Sequence, residues 1–163
     1  MGAKAPKLLV DAMLGSLARR LRWLGYDAAY RNDLPDKEMI RIAREEGRLL
    51  VTRDRELAGR RGVKALYIAA TTVEDQVRAV AEAIGPSLHP PRCTVCNGEL
   101  VPISMEEARP QVPPYVAQTQ TEFVRCNRCG RVYWPGTHWP GLQRWRLSGP
   151  SPSHADADED GGR

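Results

Sequence analysis

The sequence predicts an α/β domain built on a small parallel sheet, followed by a smaller cysteine-rich module. Short apolar strands alternate with helical patterns over the first half of the chain, and a carboxylate follows two of those strands. All four cysteines lie in the second half, as two C-x-x-C pairs. With 163 residues the chain is long enough for one full core and one small module.

The stretch from Asp36 to Leu57 shows this alternation most clearly. Its apolar residues first recur at helical spacing, and Gly47 ends the predicted helix. The strand 49–52 follows directly, and Asp54 comes just after it. A continuous apolar strand next to a helix indicates a parallel sheet that is covered on both faces.

The rest of the first domain repeats the same units. A strand over 7–11 precedes a helix whose leucines lie on one face up to Gly25. Right-handed crossovers then give a three-layer sandwich with the first strand in a central position. Further predicted elements are strands at 27–30 and 65–68, a short turn or helix at 55–61, and a helix opened by Thr72 and ended by Gly85.

The first predicted helix carries basic and aromatic residues beside its leucines. Arg19, Arg20 and Arg22 lie away from the leucine face, so we expect them to point towards solvent. Trp23 is expected to pack at the edge of that face.

Carboxylates follow two of the predicted strands. Asp11 ends the first strand and Asp54 follows the third, and the carboxyl ends of parallel strands form the edge of a sheet where ligands collect. The helix that opens at Asp36 should begin nearby. Converging carboxylates repel one another unless a cation lies among them, and oxygen ligands suit Mg²⁺ or Mn²⁺. Such ions activate water and neutralise charge on a phosphodiester.

Each acid also has a structural explanation, because acids are favoured at helix N-termini as caps. Asp54 could cap the turn that follows it. A strand-end acid is not needed by the sheet, however, and for Asp11 and Asp54 we therefore favour the functional explanation. The acids for which the structural explanation is favoured are Asp33, Asp36, Glu38 and Asp75.

Two segments resemble a known family. The stretch 36–57, which reads D-x-x-x-I-x-x-A-x-x-x-G-x-L-L-V-T-x-D-x-x-L, resembles the second half of a PIN-type nuclease. The start, L-L-V-D-A-M-L-G-S-L-A-R-R-L-R-W-L-G-Y-D, resembles the opening of the Mut-seven C-terminal RNase domain family. In that family a PIN-like domain is followed by a zinc ribbon, and some members carry a ubiquitin-like domain ahead of it. The resemblance covers roughly Leu8 to Trp145.

The resemblance implies a ribonuclease that uses Mg²⁺ or Mn²⁺ at an acidic site. By position, Asp11, Asp36 and Asp54 match the metal-binding acids of PIN nucleases. Those enzymes often use a further acid on an intervening helical hairpin, for which this chain is too short. The residues that could substitute for it are Asp33, Glu38 and Asp75.

The cysteine pairs predict a structural zinc site. Each pair is followed shortly by glycine, at Gly98 and Gly130, which is typical of a zinc knuckle. Two disulfides or a redox pair are the alternatives, and a cytosolic chain without a thioredoxin-like helix favours zinc over both. Between the pairs lie a predicted strand, 99–103, and a proline-rich excursion, 109–115. The predicted Zn²⁺ ligands are Cys93, Cys96, Cys126 and Cys129.

Arginines alternate with aromatic residues around the second cysteine pair. Tyr133 and Trp134 are expected to form the last ribbon strand, with tryptophans fixing the ribbon to the main domain. The segment W-P-G-T-H-W, 134–139, also resembles the end of the family. The arginines that we expect to contact RNA phosphates are Arg53 and Arg55 beside the acids, and Arg125, Arg128 and Arg131 in the ribbon.

The net charge of +4 is unevenly distributed. The segment from Ser151 to Arg163 holds four of the 20 acids and one of the 24 Lys/Arg residues, which leaves 23 basic against 16 acidic residues, or +7, over 1–150. A basic body indicates an anionic partner, of which nucleic acid is the commonest for such a chain. The predicted domains are a PIN-like nuclease domain at 7–85, a zinc ribbon at 86–147 and a disordered acidic tail at 148–163.

No apolar run approaches the ~18 residues of a membrane span, and the start lacks the apolar core of a signal peptide. We therefore expect a cytoplasmic protein, and the family resemblance together with the strand-end acids predicts a metal-dependent ribonuclease. The alternative is a non-catalytic RNA- or ribosome-binding adaptor with a zinc ribbon. A phosphoacceptor receiver is disfavoured, because the fourth strand ends in I-A-A-T at 68–71 and has no lysine there. Neither the RNA preference nor the oligomeric state follows from the sequence.

Overall fold

A computed structural model describes residues 5–134. In the first domain a short 3₁₀ turn, Ala12–Leu14, connects the first strand to the first helix. Its strands are β1 (Leu8–Val10), β2 (Ala28–Tyr30), β3 (Leu49–Thr52) and β4 (Ala65–Tyr67), and its helices are α1 (Gly15–Trp23), α2 (Asp36–Glu46), α3 (Arg55–Ala58) and α4 (Val73–Ile84).

The four strands form one parallel sheet in the order β2-β1-β3-β4. Leu8 pairs with Ala28 on one side and with Leu49 on the other, so β1 is an interior strand. This confirms the predicted sheet with its first strand in a central position. We call the edge where the strands begin the amino edge and the edge where they end the carboxyl edge.

Helices cover both faces of the sheet, which confirms the predicted three layers. Leu8 and Val10 point into the core formed with α1 and α4, whereas Leu9 points into the core formed with α2 and α3. All three side chains are fully buried. Alternating side chains of one strand therefore serve two cores, and each buried leucine contributes about 1.5–3 kcal/mol.

The caps of α2 and α4 explain where these helices lie. Gly47 ends α2 with φ 65°, a left-handed conformation that glycine adopts at little cost, and the Thr72 side chain caps α4. The prediction that Asp33 caps the start of α2 is wrong, because the Asp33 carboxylate accepts hydrogen bonds from Arg31 instead. Pro35 occupies the N-cap position without a side-chain bond.

The second module, which we call the ribbon, spans residues 92–134 and contains an antiparallel sheet in the order β5-β6-β7. The proline-rich excursion is helical, which the sequence patterns did not predict. A capping box between Ser104 and Glu107 starts the short helix that directly precedes it. The strands are β5 (Leu100–Ile103), β6 (Phe123–Cys126) and β7 (Val132–Tyr133), and the helices are α5 (Met105–Ala108), a 3₁₀ turn (Arg109–Gln111) and α6 (Pro114–Thr119).

Two side chains of α1 differ from the prediction. Arg22, expected towards solvent, is only 6% exposed, and Trp23, expected at the margin, is only 1% exposed. The ribbon covers both of them, and the ring centroids of Trp23 and Tyr133 lie 5.1 Å apart. A helix pattern reports only the face turned to its own sheet, so a contact made by a distant module is invisible to it.

Some predictions fall outside the described residues. These are the acidic tail at 148–163 and the part of the arginine and aromatic segment beyond Trp134. Among residues 5–134, no helix combines the length and the apolar character that crossing a membrane requires.

Candidate active site and metal centre

Asp11 and Asp54 meet at the carboxyl edge through the buried Thr52. The Thr52 hydroxyl donates a 2.7 Å hydrogen bond to Oδ2 of Asp11 and accepts one of 2.9 Å from the backbone N–H of Asp54. Oδ1 of Asp11 accepts the backbone N–H of Ala12 at 2.7 Å. We call this group of Asp11, Thr52 and Asp54 the acidic rim.

Asp54 also has the structural role that its position allowed. Its Oδ1 accepts the backbone N–H groups of Glu56 at 2.9 Å and Leu57 at 3.2 Å, and so caps α3. Within residues 5–134 no hydrogen bond uses its Oδ2. Capping therefore occupies one carboxylate oxygen and leaves the other available to a ligand.

Asp36 is the first residue of α2 and is exposed. Since α2 follows β2, this residue lies towards the same carboxyl edge as the acidic rim. The three aspartates do not come together as a compact set, however. Among the described residues 5–134, the cysteines are the group in which three or more metal-binding side chains lie within 4.8 Å of one another. A shared metal at Asp11, Asp36 and Asp54 therefore stays a prediction.

The three substitute acids each contact an arginine of their own segment. Hydrogen bonds from those arginines lower the pKa of Asp33 and of Glu38. Such exposed pairs are worth little to stability, but each gives its carboxylate an arginine partner in its own segment. The pairs are Asp33 with Arg31 at 3.0 Å, Glu38 with Arg41 at 2.8 Å, and Asp75 with Arg78 at 3.2 Å.

Arg55 and Tyr67 form a pair beside the acidic rim. The Arg55 guanidinium lies 5.2 Å from the Tyr67 ring centroid, and its Nε donates a 3.2 Å hydrogen bond to the Tyr67 hydroxyl. Tyr67 ends β4 and is 37% exposed. A cation held over an exposed ring at this edge offers both charge and a stacking surface.

Tyr30 supports the turn that follows Asp11, a role that the sequence did not reveal. Its hydroxyl donates a 2.7 Å hydrogen bond to the carbonyl of Ala12. The ring passes close to Gly15, where an added Cβ would lie only 3.0 Å from the Tyr30 hydroxyl oxygen. An added side chain at Gly15 would therefore be in tight contact with the Tyr30 ring.

The four cysteines of the ribbon converge. The sulfurs of Cys93 and Cys129 lie 3.6 Å apart, and those of Cys96 and Cys126 lie 3.3 Å apart. A disulfide needs about 2.05 Å, whereas sulfurs arranged tetrahedrally at about 2.3 Å from zinc lie about 3.8 Å from one another. The cluster is therefore compatible with Zn²⁺ and does not contain two disulfides.

The knuckle around Cys126 favours the thiolate. Burial by itself raises the pKa of this thiol, but backbone N–H groups of Cys129 and Arg128, both 3.4 Å from the sulfur, lower it to about 7. Gly98 is needed close by, because a Cβ there would lie 2.6 Å from the Cys126 sulfur. These are the features that the C-x-x-C pairs and their glycines predicted.

Residues 6–145 match the family model described as Mut7-C RNAse domain. The chain belongs to this family. No match was found among curated proteins or among solved structures. The family assignment confirms the resemblance stated from the two sequence segments, and it indicates a nuclease-like function with RNA as the substrate class.

In this Mut7-C chain the ribbon docks at the amino edge, opposite the acidic rim. Arg22 donates from Nε to the carbonyl of Ala28 at 2.8 Å and from Nη1 to the carbonyl of Thr94 at 2.7 Å. Asn97 accepts the backbone N–H of Ala28 at 3.1 Å and donates to Oδ1 of Asp27 at 2.7 Å. Ala28 begins β2, so the cysteine-bearing ribbon supports the end of the sheet opposite Asp11 and Asp54.

The three ribbon arginines occupy different surroundings. Arg125 lies 3.6 Å from Glu107, and Arg128 donates from Nη1 to the carbonyl of Cys96 at 3.1 Å. Arg131 is exposed. Two of the three therefore have partners within the ribbon, and all three lie in the module that docks away from the acidic rim.

Proposed function

We propose that this Mut7-C chain is a metal-dependent ribonuclease that hydrolyses RNA phosphodiesters at the acidic rim. The observation that carries the proposal is the Thr52 hydroxyl that joins Asp11 to Asp54. This buried hydroxyl fixes the Asp11 carboxylate and the backbone of Asp54 at the ends of neighbouring strands, which supports a cation site whose ligands are partly oriented before the cation arrives.

The donor set supports a hard divalent cation. Asp11, Asp36 and Asp54 supply only oxygen, which suits Mg²⁺ or Mn²⁺ better than zinc. When bound, such an ion lowers the pKa of a water molecule and neutralises charge on a phosphodiester. The aspartates would hold it, and Asp36 would approach from the start of α2 when RNA and cation are present.

The remaining residues of the rim would position RNA. Arg53 and Arg55 flank Asp54 in sequence and are the proposed phosphate contacts, with Tyr67 as the ring beneath Arg55. Because water serves as the nucleophile, no covalent enzyme intermediate is expected. Asp33, Glu38 and Asp75 are secondary candidates for a further acid.

The ribbon would hold a structural Zn²⁺ and extend the RNA contact. Its exposed arginines, Arg128 and Arg131, and the partly buried Arg125, are proposed to contact phosphates of more distant nucleotides. We propose the division into a nuclease domain at 7–85 and a ribbon domain at 86–147. A thiolate zinc site also fits the reducing cytoplasm.

The second candidate function is a non-catalytic RNA- or ribosome-binding adaptor. It is favoured by one observation: among residues 5–134, the side chains that group as a metal-binding set of three or more are the cysteines and not Asp11, Asp36 and Asp54. An adaptor would bind RNA with a steep dependence on salt and would show no cleavage that depends on Mg²⁺ or Mn²⁺.

RNA cleavage by the zinc-loaded protein, with and without added Mn²⁺, tests the first candidate against the second. Asp54→Asn should abolish cleavage while the fold persists, because asparagine caps helices about as well as aspartate. The matched control is Glu56→Gln, which removes an exposed acid from the same helix. Cleavage by Asp54→Asn at the wild-type rate would reject the assignment, and a wild-type protein without Mn²⁺-dependent cleavage would favour the adaptor.

A further inference from the structure

A cavity of about 390 Å³ opens at the carboxyl edge, next to the acidic rim. It lies between the start of α1 and the segment that carries Arg53. This volume is within the range of roughly 300–1,000 Å³ that is typical of small-molecule sites. The polar residues of its wall are Ser16, Arg19, Tyr30, Arg53, Thr71 and Gln76.

The charge of the cavity is positive. Arg19 and Arg53 come from different elements, and no aspartate or glutamate is part of the wall. The first turn of α1, which lines the cavity, also contains no acid, and the positive end of the helix dipole favours an anion there. The surroundings therefore favour an anion beside a site whose own residues are acidic.

Arg53 supplies an independent indication of a ligand. Its Nε is buried and has no hydrogen-bond partner among the described residues. A buried N–H group without an acceptor is costly and rare, and phosphate oxygens are acceptors that guanidinium groups bind strongly. Ser16 and Thr71 add hydroxyl groups to the wall, and Met13, which is 72% exposed, adds an apolar surface that a base can contact.

We propose that this cavity binds a phosphate of single-stranded RNA, one nucleotide or a few away from the phosphodiester held at the acidic rim. The inference rests on the proposed function for the identity of the ligand. Arg53 lies between Thr52 and Asp54 in the chain, so a phosphate bound by Arg53 would set the register of the RNA strand on Asp11 and Asp54.

Binding is measured without cleavage, which separates the two proposals. The full-length, zinc-loaded Asp54→Asn protein is mixed with a fluorescein-labelled oligouridylate in the absence of Mg²⁺ and Mn²⁺, and fluorescence anisotropy gives Kd. Introducing Arg53→Gln into the Asp54→Asn protein should weaken RNA binding by about tenfold. It should also reduce the slope of log K against log salt concentration by about 0.7. Arg60→Gln removes the same charge from an exposed position outside the cavity and should change Kd much less.

A second variant keeps the test valid should Arg53→Gln disturb the strand. Ser16→Asp places a negative charge in the cavity at the start of α1, where the helix dipole favours it and the fold is not threatened. It should weaken RNA binding by about tenfold, whereas the neutral Ser16→Asn should bind RNA more tightly than Ser16→Asp does.

If Arg53→Gln and Ser16→Asp both bind RNA as tightly as the Asp54→Asn parent, or if the parent binds no RNA, the cavity proposal is overturned. If they bind more weakly while the wild-type protein shows no Mn²⁺-dependent cleavage, the cavity proposal holds and the ribonuclease proposal fails.

Discussion

The Thr52 hydroxyl lies 2.7 Å from Oδ2 of Asp11, and this contact joins the ends of two neighbouring strands. The same oxygen accepts the Asp54 backbone N–H, so a single buried side chain contacts the Asp11 carboxylate and the backbone of Asp54. The backbone register supports this arrangement, since the Asp11 N–H donates to the carbonyl of Val51 at 2.9 Å.

Thr52→Val should therefore weaken both the fold and the proposed metal site. Valine has nearly the same shape but leaves the Asp54 N–H without its acceptor and Asp11 without its donor, at a cost of about 1–3 kcal/mol. Urea unfolding measures the loss, and a Mn²⁺ titration of RNA cleavage should shift to higher concentration. Thr52→Ser retains the hydroxyl and serves as the control; equal effects of both substitutions would contradict the role of the hydrogen bonds.

Gly98→Ala should lower the affinity for Zn²⁺. The added Cβ would lie 2.6 Å from the Cys126 sulfur and 3.2 Å from that of Cys96, so the knuckle must open. Competition with a chromogenic chelator measures the affinity. Asn127→Ala changes an exposed side chain of the other knuckle and should leave the Zn²⁺ affinity nearly unaltered. Zinc affinity of Gly98→Ala equal to that of the wild type would refute the close packing.

Removal of zinc should loosen the amino edge of the first domain. Without the metal the ribbon cannot hold Thr94 and Asn97 against Arg22 and Ala28, and Trp23 loses the cover of Tyr133. Hydrogen–deuterium exchange should rise at β2 and at the end of α1 more than at α2. Re-addition of Zn²⁺ should reverse the change, and unchanged exchange at β2 would mean that the docking is not coupled to the metal.

Asp27 should contribute stability that disappears in acid. Burial alone raises the pKa of this carboxyl, but hydrogen bonds from Arg48 and Asn97 outweigh it and lower the pKa below its ordinary value of 3.8. A depressed folded pKa stabilises the fold above the unfolded pKa, and this contribution is lost as the pH falls through the folded pKa.

Asp27→Asn tests that contribution. The variant should be less stable than the wild type at neutral pH by about 1–3 kcal/mol, and the difference should shrink below pH about 4. Chemical unfolding in excess Zn²⁺ measures both proteins, and the exposed Asp75→Asn is the matched control. A difference that is constant from neutral pH into acid would contradict the assigned pKa shift.

Local patterns in the sequence were sufficient for the elements of the first domain and for the cysteine cluster. The leucine spacing predicted α1, Gly47 predicted the end of α2, and the strand-end positions of Asp11 and Asp54 predicted that both acids reach the same edge. These features depend on neighbours within one element or on the direction of parallel strands, and both can be read along the chain.

Contacts between distant segments were decided only by the tertiary structure. Arg22 contacts Thr94 across 72 residues, and Asn97 contacts Asp27 across 70. The local sequence around one partner therefore gives no sign of the other. The same holds for Thr52, whose hydroxyl contacts Asp11 only when the two strands pair. The sequence by itself determined which helices and strands form, which strand ends carry acids, and where the thiols lie. Packing determined which groups those side chains contact, because a hydrogen bond depends on distances in space that separation along the chain does not encode.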